Sequence, residues 1–310
     1  MSQNIGDFFP GQPFATGLTG AYSSAGSVYD APVDASCSGT ATQYSLSATN
    51  ASFASYIGYP ILIHQTRGTG VGQWEVNKIL NYTAGTITLS GPLTYTYGDS
   101  GNSQAQVIVI KQYSSYVQNA GHVFTVKAWD GNVGGVITFA CNGNVTIPGS
   151  LLLSGWGFRG GISVGAGSNI IGYQGEGTVG ASTEVVTANG NGGGGGRAGS
   201  GSGGGGGGGG GNGAVGSTST GPGNGGNTAG LMNLGGAGGS GGTGDSIGNM
   251  SGRGGNGGAI VLIFAKSITV SGTIYSKGEN GYAWTGSGGY GAGGGGGGAG
   301  KAALLVVELC

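Results

Sequence analysis

Short β-rich runs mark the first half of the chain: Tyr59 to Gln65 (YPILIHQ), Trp74 to Leu80 (WEVNKIL), Thr86 to Leu89 (TITL), Gln106 to Gln112 (QVIVIKQ) and His122 to Ala128 (HVFTVKA). Turn formers separate them at Gly68 to Gly72, Ala84-Gly85, Gly91-Pro92 and Gly98 to Asn102. This spacing predicts a small antiparallel sandwich or barrel over residues 46–132. A 3.6-residue period nowhere persists long enough for an α-helix of note, so the fold class predicted is all-β.

A second pattern occurs twice. Residues 134–161 read GGVITFACNGNVTIPGSLLLSGWGFRGG, and residues 257–281 read GGAIVLIFAKSITVSGTIYSKGENG. Each is a glycine pair, an apolar strand, a turn and a second alternating strand ending in glycine, which reads as one supersecondary unit used twice. Ile260 to Phe264 and the terminal run Ala303 to Leu309 are apolar at nearly every position, the mark of strands buried on both faces. Residues 134–161, 257–281 and 302–309 therefore predict a β-platform within a unit spanning 133–310. Residues 1–45 show neither period, with scattered Phe8, Phe9, Phe14, Tyr22 and Tyr29 among Ser, Gly and Ala, and predict an extended docking arm.

The platform brackets glycine. Of 310 residues 81 are Gly, including uninterrupted runs at Gly192 to Gly196, Gly203 to Gly211 and Gly293 to Gly298. Glycine has no side chain to bury and the largest backbone entropy to lose, so such runs form either a flexible linker or a solid made of backbone. The ordered form is a bundle of left-handed polyglycine-II helices, three residues per turn, whose outward N–H and C=O groups bond neighbouring helices. Collagen is excluded by the seven prolines and the absence of a strict Gly-X-Y period. Apolar Leu231, Met232, Leu234, Ile247 and Met250 interrupt the runs, as do Asn191, Asn212, Asn224 and Asn256, and these favour the bundle over a linker. The prediction is thus an all-β chain with a polyglycine-II bundle over 190–258 and 286–300.

Chemistry is sparse. Charged residues make up 7% and the net charge is −1, which supplies neither a basic patch for nucleic acid nor a charge run for a membrane surface. The first residues carry no basic segment followed by an apolar run, and no apolar stretch reaches the ~20 residues of a membrane span, so neither a signal peptide nor membrane insertion is predicted. Cys37, Cys141 and Cys310 are odd in number and far apart, and read as reduced thiols. Gly295 to Lys301 fits G-x-x-x-x-G-K, but Ala302 follows where a nucleotide loop needs a hydroxyl. His64 and His122 lie inside apolar strands, and Asp130 reads as a turn residue. No catalytic motif, cofactor or metal is predicted.

Three aromatics, Tyr282, Trp284 and Tyr290, stand close together between two glycine blocks where no strand alternation explains them. Tyr and Trp offer wide contact at low entropy cost and can stack on sugar faces, so these three are the candidate receptor-binding residues, with Asn233 in a second interruption (LMNL) beside them. Alternatively the rings shield the edge of the bundle.

A β-rich amino-terminal part followed by glycine blocks (Gly192 to Gly196, Gly203 to Gly211, Gly235 to Gly244, Gly252 to Gly258, Gly286 to Gly300) with polar and aromatic interruptions resembles the distal tail-fibre adhesins of T-even-type bacteriophages. The resemblance is architectural and covers about the last 120 residues. It implies a virion location, attachment to other fibre proteins through the amino-terminal part, and binding of a host-surface glycan or outer-membrane protein through loops between the glycine helices. The internal repeat and the long β-rich first half depart from that family's pattern. A homo-oligomer is compatible with this layout, and a purely structural component of a virion or extracellular filament, without a receptor, would use the same stiff rod.

Overall fold

The computed structural model describes residues 16–165, 170–197, 232–243, 250–285 and 302–306. Their fold is all-β, and their one described helix is a 3-10 turn, Ala51–Tyr56, whose N-cap Asn50 accepts a bond from the Ser52 amide.

Six strands close an antiparallel barrel: β3 (Asp34–Ser38), β4 (Ser45–Ala48), β5 (Pro60–Arg67), β6 (Trp74–Thr83), β7 (Thr86–Leu89) and β8 (Gln104–Val109), in the order β3-β4-β7-β6-β5-β8. Closure leaves no unpaired edge. Ile61, Ile63, Ile79, Ile87, Val107 and Val109 fill its interior with Phe53 from the 3-10 turn. The alternate residues of β5 and β8, among them Leu62, His64, Gln106 and Ile108, point outward yet are also buried. They are covered by the rest of the chain.

The remaining strands run parallel in two sheets. One has the order β1 (Gly20–Ser23), β9 (Lys111–Val117), β11 (Val136–Ile147), β13 (Ile260–Val270), β15 (Ala302–Val306); the other has the order β14 (Thr273–Tyr275), β12 (Ser150–Leu152), β10 (Val123–Val126), β2 (Val28–Asp30). The chain crosses from the first sheet to the second four times, as β1–β2, β9–β10, β11–β12 and β13–β14, building stacked coils. The two segments of the internal repeat are neighbouring coils. Val136 lies opposite Ile260 and Asn144 opposite Ser267, with one extra residue accommodated in β11 between Cys141 and Asn144.

β13 shows why its sequence is apolar throughout. Val261, Ile263 and Ala265 face the second sheet, in a core with Phe124, Phe139 and Leu151. Ile260, Leu262 and Phe264 face the other way, against Leu62 and Ile108 of the barrel and Phe158, Leu234 and Ala237 of the glycine segments. Each fully buried side chain of this kind contributes roughly 1.5–3 kcal/mol.

Two sequence-based expectations change. The strands of 46–132 do not form one unit: the barrel begins at Asp34 and ends at Val109, and β9 and β10 join the parallel sheets. Within 1–45, residues 1–15 lie outside the described residues, but 20–23, 28–30 and 34–38 are paired strands rather than an arm. They are three to five residues long, too short for alternation to register as a period.

The glycine-rich part is held together by backbone. Six segments, 157–164, 170–177, 191–197, 234–243, 250–258 and 279–285, are joined by hydrogen bonds that recur every third residue. Segment 234–243 (LGGAGGSGGT) is central. The amides of Gly235, Gly238 and Gly241 donate to the carbonyls of Gly258, Gly255 and Gly252, while those of Ala237, Ser240 and Thr243 donate to Glu176, Tyr173 and Ile170. Its carbonyls at 235 and 238 accept from Phe158 and Gly161, and those at 237 and 240 accept from Gly193 and Gly196. A Cβ at Gly236 or Gly239 would stand 1.9 or 2.1 Å from a carbonyl oxygen of segment 191–197. None of these glycines has positive φ, so proximity rather than backbone conformation demands glycine. Asparagine completes the bonding: Asn191 accepts from the Thr178 amide and donates to the Leu234 carbonyl, and Asn256 accepts from the Gly160 amide. The runs Gly203 to Gly211 and Gly293 to Gly298 lie outside the described residues.

Candidate functional site

Segment 279–285 is the outermost described segment of the glycine-rich part. Glu279, Tyr282 and Thr285 donate their amides to the carbonyls of Asn256, Arg253 and Met250, again at a spacing of three, so every third side chain projects from one side of the edge. Tyr282 is 51% exposed. The Arg253 guanidinium carbon lies 4.9 Å from the centre of its ring, a cation–π contact that fixes the ring's orientation. Glu279 Oε2 is 3.4 Å from the same guanidinium and also accepts from the Asn256 amide. The result is a solvent-facing aromatic ring with a charge pair beside it, on a segment whose backbone is bonded at every third residue. Surface exposure keeps the pair's own stabilisation at ~0–1 kcal/mol.

Of the three candidate contacts among the described residues, Asn233 is set apart from the other two. Tyr282 is exposed and Trp284 is half-buried two residues on. Asn233 is buried, 2% exposed, with its side-chain oxygen unpartnered, so it presents no side chain to the surface carrying Tyr282. Tyr290 lies outside the described residues. Arg253 and Glu279 escaped sequence reasoning because they are distant in the chain. A detectable signal was the triplet spacing Arg253-Gly-Gly-Asn256-Gly-Gly, which sets Arg253 and Asn256 on one line of the edge.

The buried polar groups serve a different purpose. Glu176, 1% exposed, accepts from Arg67 of β5, from the indole N–H of Trp129, and from the amide, Nε and Nη2 of Arg159. Burial lowers the pKa of Arg67, whereas hydrogen bonding to Glu176 raises that of Arg159. This cluster joins barrel, β10–β11 loop and glycine segments. A second junction is His64, whose Nε2 donates to the Met232 carbonyl at 2.6 Å. Its Nδ1 meets the Thr66 hydroxyl, which in turn accepts from Gln106. Burial lowers the His64 pKa to about 4, so the ring is neutral near pH 7.

Asp130 accepts from the amides of Asn132 and Val133, the geometry of a turn residue, and its pKa is depressed by these bonds and Lys127 against the opposing effect of burial. Cys37 and Cys141 are buried free thiols whose pKa burial raises, and Cys310 lies outside the described residues. Among the described residues no group of three His, Cys, Asp or Glu side chains is placed to hold a metal, and no helix is long and apolar enough to cross a membrane. Comparison with protein-family models, with curated proteins and with solved structures finds no match.

Proposed function

We propose that this protein is a non-catalytic surface adhesin of the tail-fibre-tip kind, located on a virion and binding a host-surface glycan or outer-membrane protein. In this reading the six backbone-bonded segments are polyglycine-II helices of one bundle. The edge carrying Tyr282 and Trp284, with Tyr290 following, is the recognition surface. The observation that carries it is the exposed Tyr282 ring, held against Arg253 on a segment whose backbone is bonded every third residue. A rigid ring loses little entropy on binding, which suits it to a contact made and kept at a surface. A purely structural role in a virion or filament is the second reading, favoured by the amount of backbone bonding given to stiffness alone.

The test is adsorption of the labelled protein to target cells or glycan. Tyr282→Ala should lose at least tenfold in adsorption while its melting temperature stays within about 1 °C of the parent, because the residue is already about half exposed. The combined replacement of Tyr282, Trp284 and Tyr290 should abolish it. Unchanged adsorption by the triple variant would move recognition elsewhere, and absence of adsorption by the parent to any target would favour the structural reading.

A further inference from the structure

Arg253, on the edge that carries Tyr282, has more hydrogen-bonding capacity than its neighbours use. Its guanidinium carbon stands 4.9 Å from the centre of the Tyr282 ring and the Tyr282 amide donates to the Arg253 carbonyl, so ring and guanidinium are held at one register of the edge. Among the described residues the guanidinium makes one hydrogen bond, from Nη2 to Glu279 Oε2 at 3.4 Å. That is well beyond the ~2.7–2.9 Å of a tight charge-assisted bond. Nε is buried without a partner while the side chain as a whole is 41% exposed, which leaves the Nη groups as the donors that solvent can reach.

The carboxylate beside it is loosely held in turn. Glu279 divides Oε2 between Nη2 and the Asn256 amide, at 3.4 and 3.3 Å, and its side chain is 34% exposed. Arg159 shows what a closed fork looks like in this fold, since it meets Glu176 through both Nε and Nη2 at 3.0 and 2.7 Å. Lys277, two residues before Glu279, adds a second cation, its Nζ 5.5 Å from the centre of the Tyr275 ring. An open guanidinium fork beside an exposed aromatic ring matches a ligand that offers an oxyanion together with an apolar ring face.

We propose that the ligand of this edge is an acidic saccharide, whose carboxylate or phosphate closes the Arg253 fork while a pyranose face lies on Tyr282. The inference rests on the recognition edge proposed above and names what that edge selects. A neutral saccharide would satisfy the ring and leave the fork open. Glu279 acts as a placeholder: it steadies the guanidinium in the free protein through its one long bond and gives way to a closer acceptor. It also sets the sign of the test. Replacing Glu279 by a neutral amide removes both a competitor for the guanidinium and a repulsion against the ligand, whereas replacing Arg253 removes the ligand's partner.

Retention of the full chain on immobilised polygalacturonate, phosphomannan, neutral galactan and neutral mannan, read by biolayer interferometry, tests this and separates the carboxylate source from the phosphate source. One acidic polymer should be held at least ~10-fold more tightly than its neutral counterpart, and the difference should shrink as ionic strength rises. Arg253→Gln should abolish the preference, and Arg253→Lys should keep only part of it because an ammonium is a point charge and not a fork. Glu279→Gln should strengthen binding to the acidic polymer several-fold. Lys266→Gln, at an exposed position of β13, changes net charge as Arg253→Gln does and should behave as the parent. If Arg253→Gln melts earlier than the parent, the gain in Glu279→Gln and the parent's own preference decide the matter. Equal retention on acidic and neutral polymers, lost in Tyr282→Ala, would overturn the acidic ligand and leave the recognition edge standing. So would Tyr282-dependent adsorption to cells with no retention on either acidic polymer, the result expected of a protein receptor. Adsorption that Tyr282→Ala leaves unchanged would overturn the edge itself.

Discussion

Gly254 offers a sharp test of how the glycine segments cohere. A Cβ built there would stand 1.8 Å from the Gly238 carbonyl oxygen, 2.5 Å from its carbon and 3.0 Å from the Gly161 nitrogen. All three are backbone atoms, and no rotamer change relieves them. Reaching ordinary van der Waals separation requires the segments to part by roughly 1.5 Å in an interior packed at crystal-like density. The bonds Gly254 N to Gly161 O and Gly238 N to Gly255 O, each 2.9 Å, flank the clash. A shift of that size takes both beyond hydrogen-bonding range. Two lost bonds at ~1 kcal/mol each plus ~2 kcal/mol of overpacking strain give about 4 kcal/mol of destabilisation for Gly254→Ala. The control is Gly165→Ala, where an added Cβ meets nothing within 4 Å and φ is not in the left-handed region. There the loss of unfolded-state freedom should stabilise by about 0.4–1 kcal/mol. The two alanines should therefore differ in sign. Denaturant unfolding monitored by hydrogen exchange of the 234–243 amides reads the difference. Equal protection in the two variants would refute close backbone packing, leaving the glycines conformationally useful but spatially unnecessary.

Glu176→Ala should destabilise by about 3–5 kcal/mol in denaturant titration, since it leaves Arg67 buried without its carboxylate, and restoring Gln should recover only part of the loss. For His64 the folded pKa of about 4 lies below the unfolded 6.5, so the unfolded chain takes up the proton first. Its contribution is complete above pH ~6.5 and is lost as pH falls toward 4, amounting to about 3 kcal/mol. Subtracting the profile of His64→Gln from that of the parent should isolate this slope, and a flat difference between pH 6.5 and 4 would show that the imidazole is not held neutral.

Local patterns sufficed for the longer strands, but not for β1 to β4 or for the break between β8 and β9. Thr86–Leu89 was legible to the residue, β5 and β6 to within a few residues, and the repeat at 134 and 257 marked two coils that are in fact neighbours. These features are local because alternation and turn chemistry act over a few residues. The apolar run Ile260 to Phe264 likewise announced a strand covered on both sides, though not what covers it. What tertiary structure alone decided was pairing. Segments 157–164, 170–177 and 279–285 contain no glycine run longer than a pair, yet they join the glycine-rich part because their backbone groups face its own at close range. The burial of Asn233, the clamp of Arg253 on Tyr282 and the five bonds converging on Glu176 depend on residues far apart in sequence. The triplet spacing Leu234, Ala237, Ser240, Thr243 stands between these cases: it is written in the sequence, but a three-residue period becomes meaningful only when neighbouring chains approach closely enough to share each turn's hydrogen bonds.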